Sequence, residues 1–478
     1  MDFLLTLYTF ALAALNGIRI LDSTYWGDEI FSINLINMPI KELLRATAND
    51  VHPPLYYLIL KGICHFTGQS GPMLHAVSLL PYLIVLVLAL TVIRSRFGKS
   101  TAFLFVTFAS LLQNAVRYNV EIRMYSWVVL FVLVSYLSLY EILYHNRWAD
   151  YVLFILSSLA AAYTHYYALI AVAFFYLVLM LYAILRRREI VLRVVMTWIL
   201  TALGYSPWLI VLIRTFFRTS SDWWMTWMPK FSQSFEKIFS GKYSWIMFWI
   251  YLAVLAGCAA YWIMEIVKKK ADPFKKDPEK ELVWFIAGTA SVFGTVAVGV
   301  AVSHLFRPLY FDRYVYTAAV CSWLTVSVGL SRFRIEKIAI LSLVMTLFVG
   351  YCGYFNYTTV YEQDKLEAEQ TDASVRCIEE NTGTKDAVIL TDGVLEPYLK
   401  VYFPKTNKKT VDLGKELELE EGREYCLVIS SEVTQEMMEN LLARGVACTE
   451  QRPEMFKDDP DKGAFLGDLN CWIYAVGR

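Results

Sequence analysis

Charge is scarce in this chain: of 478 residues only 18% are Asp, Glu, Lys or Arg, while 57% are hydrophobic. A water-soluble domain carries about 25% charged residues, so an ordinary soluble enzyme is excluded. Disorder is excluded as well, because a chain this apolar has ample surface to bury. There is no excess of basic charge, with 44 Lys and Arg against 44 Asp and Glu, which rules out a nucleic-acid binder driven by positive charge. No Gly-rich phosphate loop is present, so nucleotide binding by the P-loop or dinucleotide routes is not expected. No C-x-x-C pair occurs, and eight Cys in so long a chain do not make a small disulfide scaffold. Met1-Asp2 lacks the basic n-region of a signal peptide, so the first apolar stretch is read as a retained span despite the small-residue site Ala11-Leu12-Ala13. Internal repeats and low-complexity segments are missing too.

What is there is long apolar windows and a charge split. Residues 359–478 hold 14 Lys and Arg and 25 Asp and Glu, net −11, which leaves 30 and 19, net +11, for residues 1–358. Crossing a bilayer by helix needs roughly 20 mostly apolar residues. Such windows fall near 3–21, 72–93, 101–116, 124–144, 151–164, 167–185, 192–213, 244–266, 283–303, 314–330 and 338–357. The chain therefore reads as an all-α polytopic membrane bundle over 1–358, with about 11 transmembrane helices, followed by a small α/β domain over 359–478. Alternate loops carry compact basic clusters: Arg94 to Lys99, Arg147, Arg186-Arg187-Arg188, Lys268 to Lys276, and Arg332 with Arg334. The positive-inside rule puts these in the cytoplasm. The N-terminus is then cytoplasmic and the acidic tail extracytoplasmic, in a multi-pass cell-membrane protein.

The outward loops carry the unusual residues. Residues 22–71 form the longest of the early ones. In it, Pro39 to Asp50 reads as an amphipathic helix lying at the interface, His52-Pro53-Pro54 breaks the chain, and Leu55 to Phe66 starts a second short helix. Asp28 and Glu29 follow Tyr25-Trp26-Gly27; two adjacent acids with aromatic neighbours suit a general base beside a sugar-stacking wall, and a solvated loop acid is the equal alternative. Arg117-Tyr118-Asn119-Val120-Glu121-Ile122-Arg123-Met124-Tyr125 places two arginines and a carboxylate at the mouth of the fourth span; phosphate binding and interfacial snorkelling both account for the arginines. His165, in Tyr163-Thr164-His165-Tyr166-Tyr167, reads more readily as a structural hydrogen-bonder than as a catalyst. Trp223, Trp224 and Trp227 read mainly as an interfacial belt. Arg313, followed by Tyr314, opens the tenth span as a second candidate to hold a phosphate.

In the tail, Tyr361 to Glu380 reads as helix, Asp386 to Thr391 and Tyr425 to Ser430 as buried strands, and Thr434 to Ala443 as an amphipathic helix stopped by Gly445. It carries no catalytic constellation, and docking or covering the active face is its expected use. An exported domain permits disulfides, while Cys426 and Cys471 in strand-like runs suit free buried thiols, so pairing stays open.

An acidic pair, then His-Pro-Pro-Leu-Tyr-Tyr, Glu-x-Arg-Met-Tyr, Thr-His-Tyr and a late Arg-Tyr: this order resembles the polytopic glycosyltransferases of the GT-C class. It is most similar to bacterial members of glycosyltransferase family 39, akin to protein O-mannosyltransferases and lipid A aminoarabinose transferases. The resemblance covers residues 1–358. It implies an enzyme that takes a sugar from a polyprenyl-phosphate carrier on the outer side of the membrane and passes it, with inversion, to an acceptor hydroxyl on a lipid, glycan or protein. By motif, Asp28 is the implied base with Glu29 beside it, and His52, Glu121, Arg123, Tyr125, His165, Arg313 and Tyr314 bind substrate. The luminal insert usual in the protein mannosyltransferases is absent here, which speaks against a protein acceptor. No full metal-ligand set accompanies Asp28 and Glu29, so metal independence and no cofactor are expected. A transporter or flippase of lipid-linked sugars is the competing reading, disfavoured because the ionisable residues sit at helix ends on one side rather than near the midplane.

Overall fold

The computed structural model describes residues 2–21, 24–217, 227–236, 239, 241, 243–267, 277–306, 308–332, 336–383, 387–415, 419–420, 423–456 and 463–477. Trp223 and Trp224, the basic run 268–276, and Phe333 with Arg334 lie outside the described residues. Two compact units are present: residues 1–20 with 40–360, and residues 21–39 with 361–478.

The first unit is helical, as a chain in lipid must be when its backbone has no other partner. Among the described residues, eight helices are long and apolar enough to cross a membrane: Phe3–Leu21, Gly71–Phe97, Tyr125–His145, Tyr166–Arg186, Arg188–Phe217, Ser244–Val267, Pro278–Leu305 and Arg313–Ser331. Two expected windows are shorter apolar helices, Lys99–Leu111 and Trp148–Thr164. The eleventh window falls within helix Glu336–Glu380. The window at 101–116 is broken: Leu112 turns to extended backbone (ψ 143°), and Gln113–Tyr118 starts a fresh helix.

Helix contacts in this unit follow the rule that close approach needs small residues and that buried polar groups find each other. Trp284 stacks on Tyr136 with ring centroids 4.3 Å apart. The Trp284 indole donates to the Tyr136 carbonyl at 3.0 Å, and the Tyr136 hydroxyl returns a bond of 3.0 Å to the Trp284 carbonyl. Gly288 makes room for this lock, since a Cβ there meets the Tyr136 hydroxyl. The Tyr82 hydroxyl lies 2.8 Å from Ser110 Oγ, and Asn16 donates to the Ser110 carbonyl at 3.2 Å. The helices Ile40–Asn49 and Leu55–Thr67 form where the sequence indicates.

The second unit is a small α/β domain. Its strands are β1 Val388–Thr391, β2 Asn407–Thr410, β3 Tyr425–Ile429, β4 Ala447–Gln451, β5 Ala464–Leu466 and β6 Leu469–Gly477. They are ordered β2-β1-β3-β6-β4, with β5 paired to β6. Strand β1 is parallel to β2 and β3, and β6 is antiparallel to β3, β4 and β5. Parallel neighbours require a crossover, and helix Glu396–Tyr402 supplies it between β1 and β2. The central strands β1 and β3 are buried throughout, which is why they read as apolar runs; the edge strand β2, Asn-Lys-Lys-Thr, gives no such signal. Helix Gln435–Ala443 is capped by Thr434, whose hydroxyl accepts from the Met437 N–H, and Gly445 ends it at φ +78°. No disulfide joins the cysteines among the described residues. Burial, and then the nearby Glu380, pushes the Cys377 thiol up to about 11, so it is a packing group.

The segment 22–71, read from the sequence as one loop, does not stay whole. Its beginning, 21–39, belongs with the acidic tail, and its remainder belongs with the membrane unit. Asp28 and Glu29, read as loop acids, stand in the first turn of an eleven-residue helix, Gly27–Asn37. The Trp26 N–H donates to Glu29 Oε2 at 3.4 Å, and carboxylates in a first turn complement the helix dipole. Ile30 on this helix joins the core that contains Ile389, Leu399 and Ile473. Burying one such side chain contributes about 1.5–3 kcal/mol.

Candidate active site

In the membrane unit the structure brings together His52, Arg123, Tyr125, His165, Arg313 and Tyr314, with Glu121 on the same turn as Arg123. The segment Asn119 to Met124 leaves helical geometry between Gln113–Tyr118 and Tyr125–His145. Glu121 and Arg123 therefore sit on a turn, where the Arg123 N–H donates to the Glu121 carbonyl at 2.6 Å. Side-chain hydrogen bonds hold the turn and the helix start that follows it. Asn119, on the turn, donates to the Ala109 carbonyl at 3.1 Å and to Asn16 at 3.3 Å. His75 Nδ1 meets the Val120 carbonyl at 2.9 Å. On the helix that follows, Ser126 and Trp127 donate to the carbonyls of Ser78 and Val77.

Arg123 is only 1% exposed. A buried guanidinium is costly unless charged and polar partners surround it. Its Nη1 donates to the Tyr57 hydroxyl at 3.1 Å, and its Nη2 lies 3.4 Å from His52 Nδ1. The same imidazole nitrogen is 3.3 Å from Asp50 Oδ2. Burial pushes the Asp50 carboxyl up, but the His52 hydrogen bond and the charges of His52 and Arg123 outweigh it, so Asp50 is held below the ordinary carboxylate value. Asp50 and Tyr57 are site residues that sequence reasoning missed. The available signal was position: Asp50 lies two residues before His52, and Tyr57 lies inside the His-Pro-Pro-Leu-Tyr-Tyr run.

His52 and His165 face each other with ring centroids 5.2 Å apart, and Tyr314 is 5.2 Å from His165. His165 Nδ1 accepts from the Tyr167 N–H at 3.1 Å, capping helix Tyr166–Arg186. Burial first, then the positive groups His52, Arg123 and Arg313, holds the His165 imidazole well below its ordinary value. It is neutral near pH 7, with Nδ1 as acceptor, so the hydrogen sits on Nε2. That Nε2 is buried and has no hydrogen-bond partner among the described residues. The residue is a structural hydrogen-bonder, as the sequence indicated, here in the form of a helix cap, and it also presents an oriented donor. The Arg313 guanidinium carbon lies 4.9 Å from the Phe311 ring and 6.0 Å from the Tyr314 ring, within cation–π range. Tyr125 packs 6.1 Å from His165, and its buried hydroxyl has no partner among the described residues.

A cavity of about 200 Å³ adjoins this cluster. His165, Tyr167 and Tyr314 form its polar end, and Val298, Val302, Leu212 and Phe216 line the rest. Gly299 also lines it: a Cβ there meets the Tyr310 ring and comes within 2.7 Å of Tyr167. The cavity is thus apolar along most of its wall and polar at the end it shares with His165 and Tyr314.

In the second unit, Asp28 is half-buried on its helix and Glu29 is buried. Glu29 closes the helix start, which gives that carboxylate a structural task.

Two solved structures of ArnT from Cupriavidus metallidurans share this architecture. The apo form aligns with a TM-score of 0.56 at 11% identity, covering 98% of this chain and 97% of that one. The form bound to undecaprenyl phosphate aligns with a TM-score of 0.58 at 12% identity, again covering 98% and 97%. At these identities the likeness is one of fold, and the fold is the ArnT-like GT-C architecture that the sequence motifs indicate. No family model and no curated protein sequence matches the chain.

Proposed function

We propose that this protein is a membrane glycosyltransferase that moves a sugar from a polyprenyl-phosphate-linked donor to an acceptor hydroxyl, with inversion, on the outer face of the cell membrane. The observation that carries this reading is the gathering of Arg123, Arg313, His52 and His165 beside an apolar cavity, in a fold whose ArnT example binds undecaprenyl phosphate.

A phosphate with one ester to the lipid and one to the sugar carries a single negative charge. When the sugar leaves, a second charge develops on the departing oxygen. Preorganised cationic groups and donors stabilise that change most when they are already held in place. Arg123 is fixed by Tyr57 and the pinned turn, and His165 Nε2–H is fixed by the helix cap. In the transfer, Asp28 takes the proton of the acceptor hydroxyl and the freed oxygen bonds the anomeric carbon. The bond from that carbon to the phosphate oxygen then breaks, with its electron pair staying on the oxygen. One displacement inverts the anomeric centre. Tyr125 and Tyr314 add ring surface and hydroxyls for the sugar, and Glu121 binds a sugar hydroxyl. The cavity takes the first isoprenes of the carrier.

The cytoplasmic N-terminus and extracytoplasmic tail are part of the same reading, supported by the basic clusters of alternate loops. The test is incubation of the purified protein in detergent or liposomes with a radiolabelled polyprenyl-phosphate sugar. Transfer or release of the sugar, abolished in Asp28→Asn with folding intact, is the expected result. Movement of the lipid across vesicles without bond cleavage overturns the reading.

A further inference from the structure

The helix that bears Asp28 is held at its start by the acidic tail. Its first turn needs acceptors for its exposed N–H groups, and such a turn usually finds one in a Ser, Thr, Asp or Asn immediately before it. Here Trp26 occupies that place and offers no side-chain cap. The Gly27 N–H donates instead to Asp468 Oδ1 at 2.8 Å, from a residue 441 positions away in the turn between β5 and β6. The Tyr398 hydroxyl donates to the same oxygen at 2.7 Å.

The surrounding contacts make this a fitted joint. The Tyr25 N–H donates to the Tyr402 hydroxyl at 2.9 Å, and Asn34 donates to the Pro397 carbonyl at 3.1 Å. A Cβ on Gly27 lies 2.8 Å from the Tyr398 hydroxyl. Gly467 takes φ +62°, and a Cβ there meets the Tyr25 carbonyl. Two glycines thus let the tail's turn and the helix start approach to hydrogen-bonding distance. Asp28 is the residue after Gly27 and lies near enough to Tyr398 to act on its hydroxyl electrostatically.

We propose that Asp468, supported by Tyr398, is a positioning residue for Asp28, so that the tail domain sets the orientation of the base. This rests on the reading of Asp28 as the base. A displacement of about 1 Å in a reacting group costs on the order of 100-fold in rate, so loss of the acceptor should act on turnover more than on donor binding. Asp468 is exposed, and its replacement removes little packing.

The experiment compares Asp468→Leu, which removes the acceptor, with Asp468→Asn, which keeps an oxygen in place, and with Tyr398→Phe, which removes one of the two bonds. Each full-length variant is assayed for transfer and for amide exchange over residues 27–30. Asp468→Leu is expected to lower kcat by roughly 10-fold or more, with KM for the lipid donor within about 2-fold and faster exchange at the helix start. Asp468→Asn is expected to restore both, and Tyr398→Phe to fall between. Wild-type kcat in Asp468→Leu overturns the proposal, as does an Asn variant as impaired as Leu, or unchanged exchange. Should the wild type transfer no sugar at all, the transferase reading fails, and the exchange comparison still decides whether Asp468 holds the helix.

Discussion

His52 Nδ1 lies 3.3 Å from Asp50 Oδ2 and 3.4 Å from Arg123 Nη2, so one imidazole nitrogen sits between a carboxylate and a guanidinium. The three form one electrostatic unit at the end of helix Ile40–Asn49. Removing any member leaves the others with charge in a poorly solvated place. This is why Asp50, a residue with no motif of its own, matters as much as the histidine.

Asp50→Asn is expected to destabilise the protein and to weaken binding of undecaprenyl phosphate. Breaking a buried pair costs about 3–5 kcal/mol, and the Asp50 side chain is 26% exposed, so a smaller loss of roughly 1–2 kcal/mol is appropriate. Thermal melting in detergent measures the first effect and lipid titration the second. A melting temperature equal to the wild type would show that the Asp50–His52 contact contributes nothing.

Arg123→Gln removes the buried charge and one bond to Tyr57. A hydrogen bond to a charged group contributes about 1.5–3 kcal/mol, so affinity for the lipid phosphate should fall by about 10- to 100-fold. Arg123→Lys should recover only part of this, because an ammonium lacks the planar fork. Unchanged lipid affinity in the Gln variant would remove Arg123 from the phosphate site.

The pH dependence of stability should carry the mark of His165. Its folded-state pKa is depressed from the ordinary 6.5, so the unfolded chain binds the proton more readily. Stability is therefore full above about pH 6.5 and falls as the pH drops below that value, until the folded-state pKa is reached. His165→Asn keeps a capping acceptor and a donor but cannot take up the proton. Its melting temperature should be flatter than the wild type's between pH 6.5 and 5. Parallel curves for the two proteins would contradict the assignment of a neutral imidazole. The Asp50 carboxylate acts in a different window: its depressed pKa contributes stability above the ordinary 3.8, lost as the pH falls below it.

Gly299→Ala, in the cavity wall, places a methyl against the Tyr310 ring and against Tyr167, which also lines the cavity. Overpacking of this kind costs about 1–3 kcal/mol. The variant should melt earlier and bind a long-chain polyprenyl phosphate less well, while its affinity for a short soluble phosphate changes little. Wild-type binding of the long-chain lipid would dissociate this cavity from the carrier's tail.

The helices of the membrane unit were legible because lipid leaves a spanning chain no alternative, so composition over about 20 residues settles the matter. The break at Leu112 was hidden, since its neighbours are as apolar as any span. In the tail, strands β1 and β3 were legible as fully buried runs, whereas β2 has no burial pattern of its own to read, and the crossover helix Glu396–Tyr402, which buries Tyr398 and Leu399, is only seven residues long. His165 was legible as a structural hydrogen-bonder between two apolar spans, but its role as a cap and which nitrogen carries the hydrogen depend on the Tyr167 N–H.

A polytopic helical protein with an acidic α/β tail, and the chemical groups at its helix ends, follow from hydrophobicity along the chain and from local turn chemistry. That Arg123 reaches His52 and Asp50, that an apolar cavity adjoins His165 and Tyr314, and that the start of the Asp28 helix bonds Asp468 emerge only on folding. Those depend on contacts between residues tens to hundreds of positions apart, whose geometry no local pattern encodes.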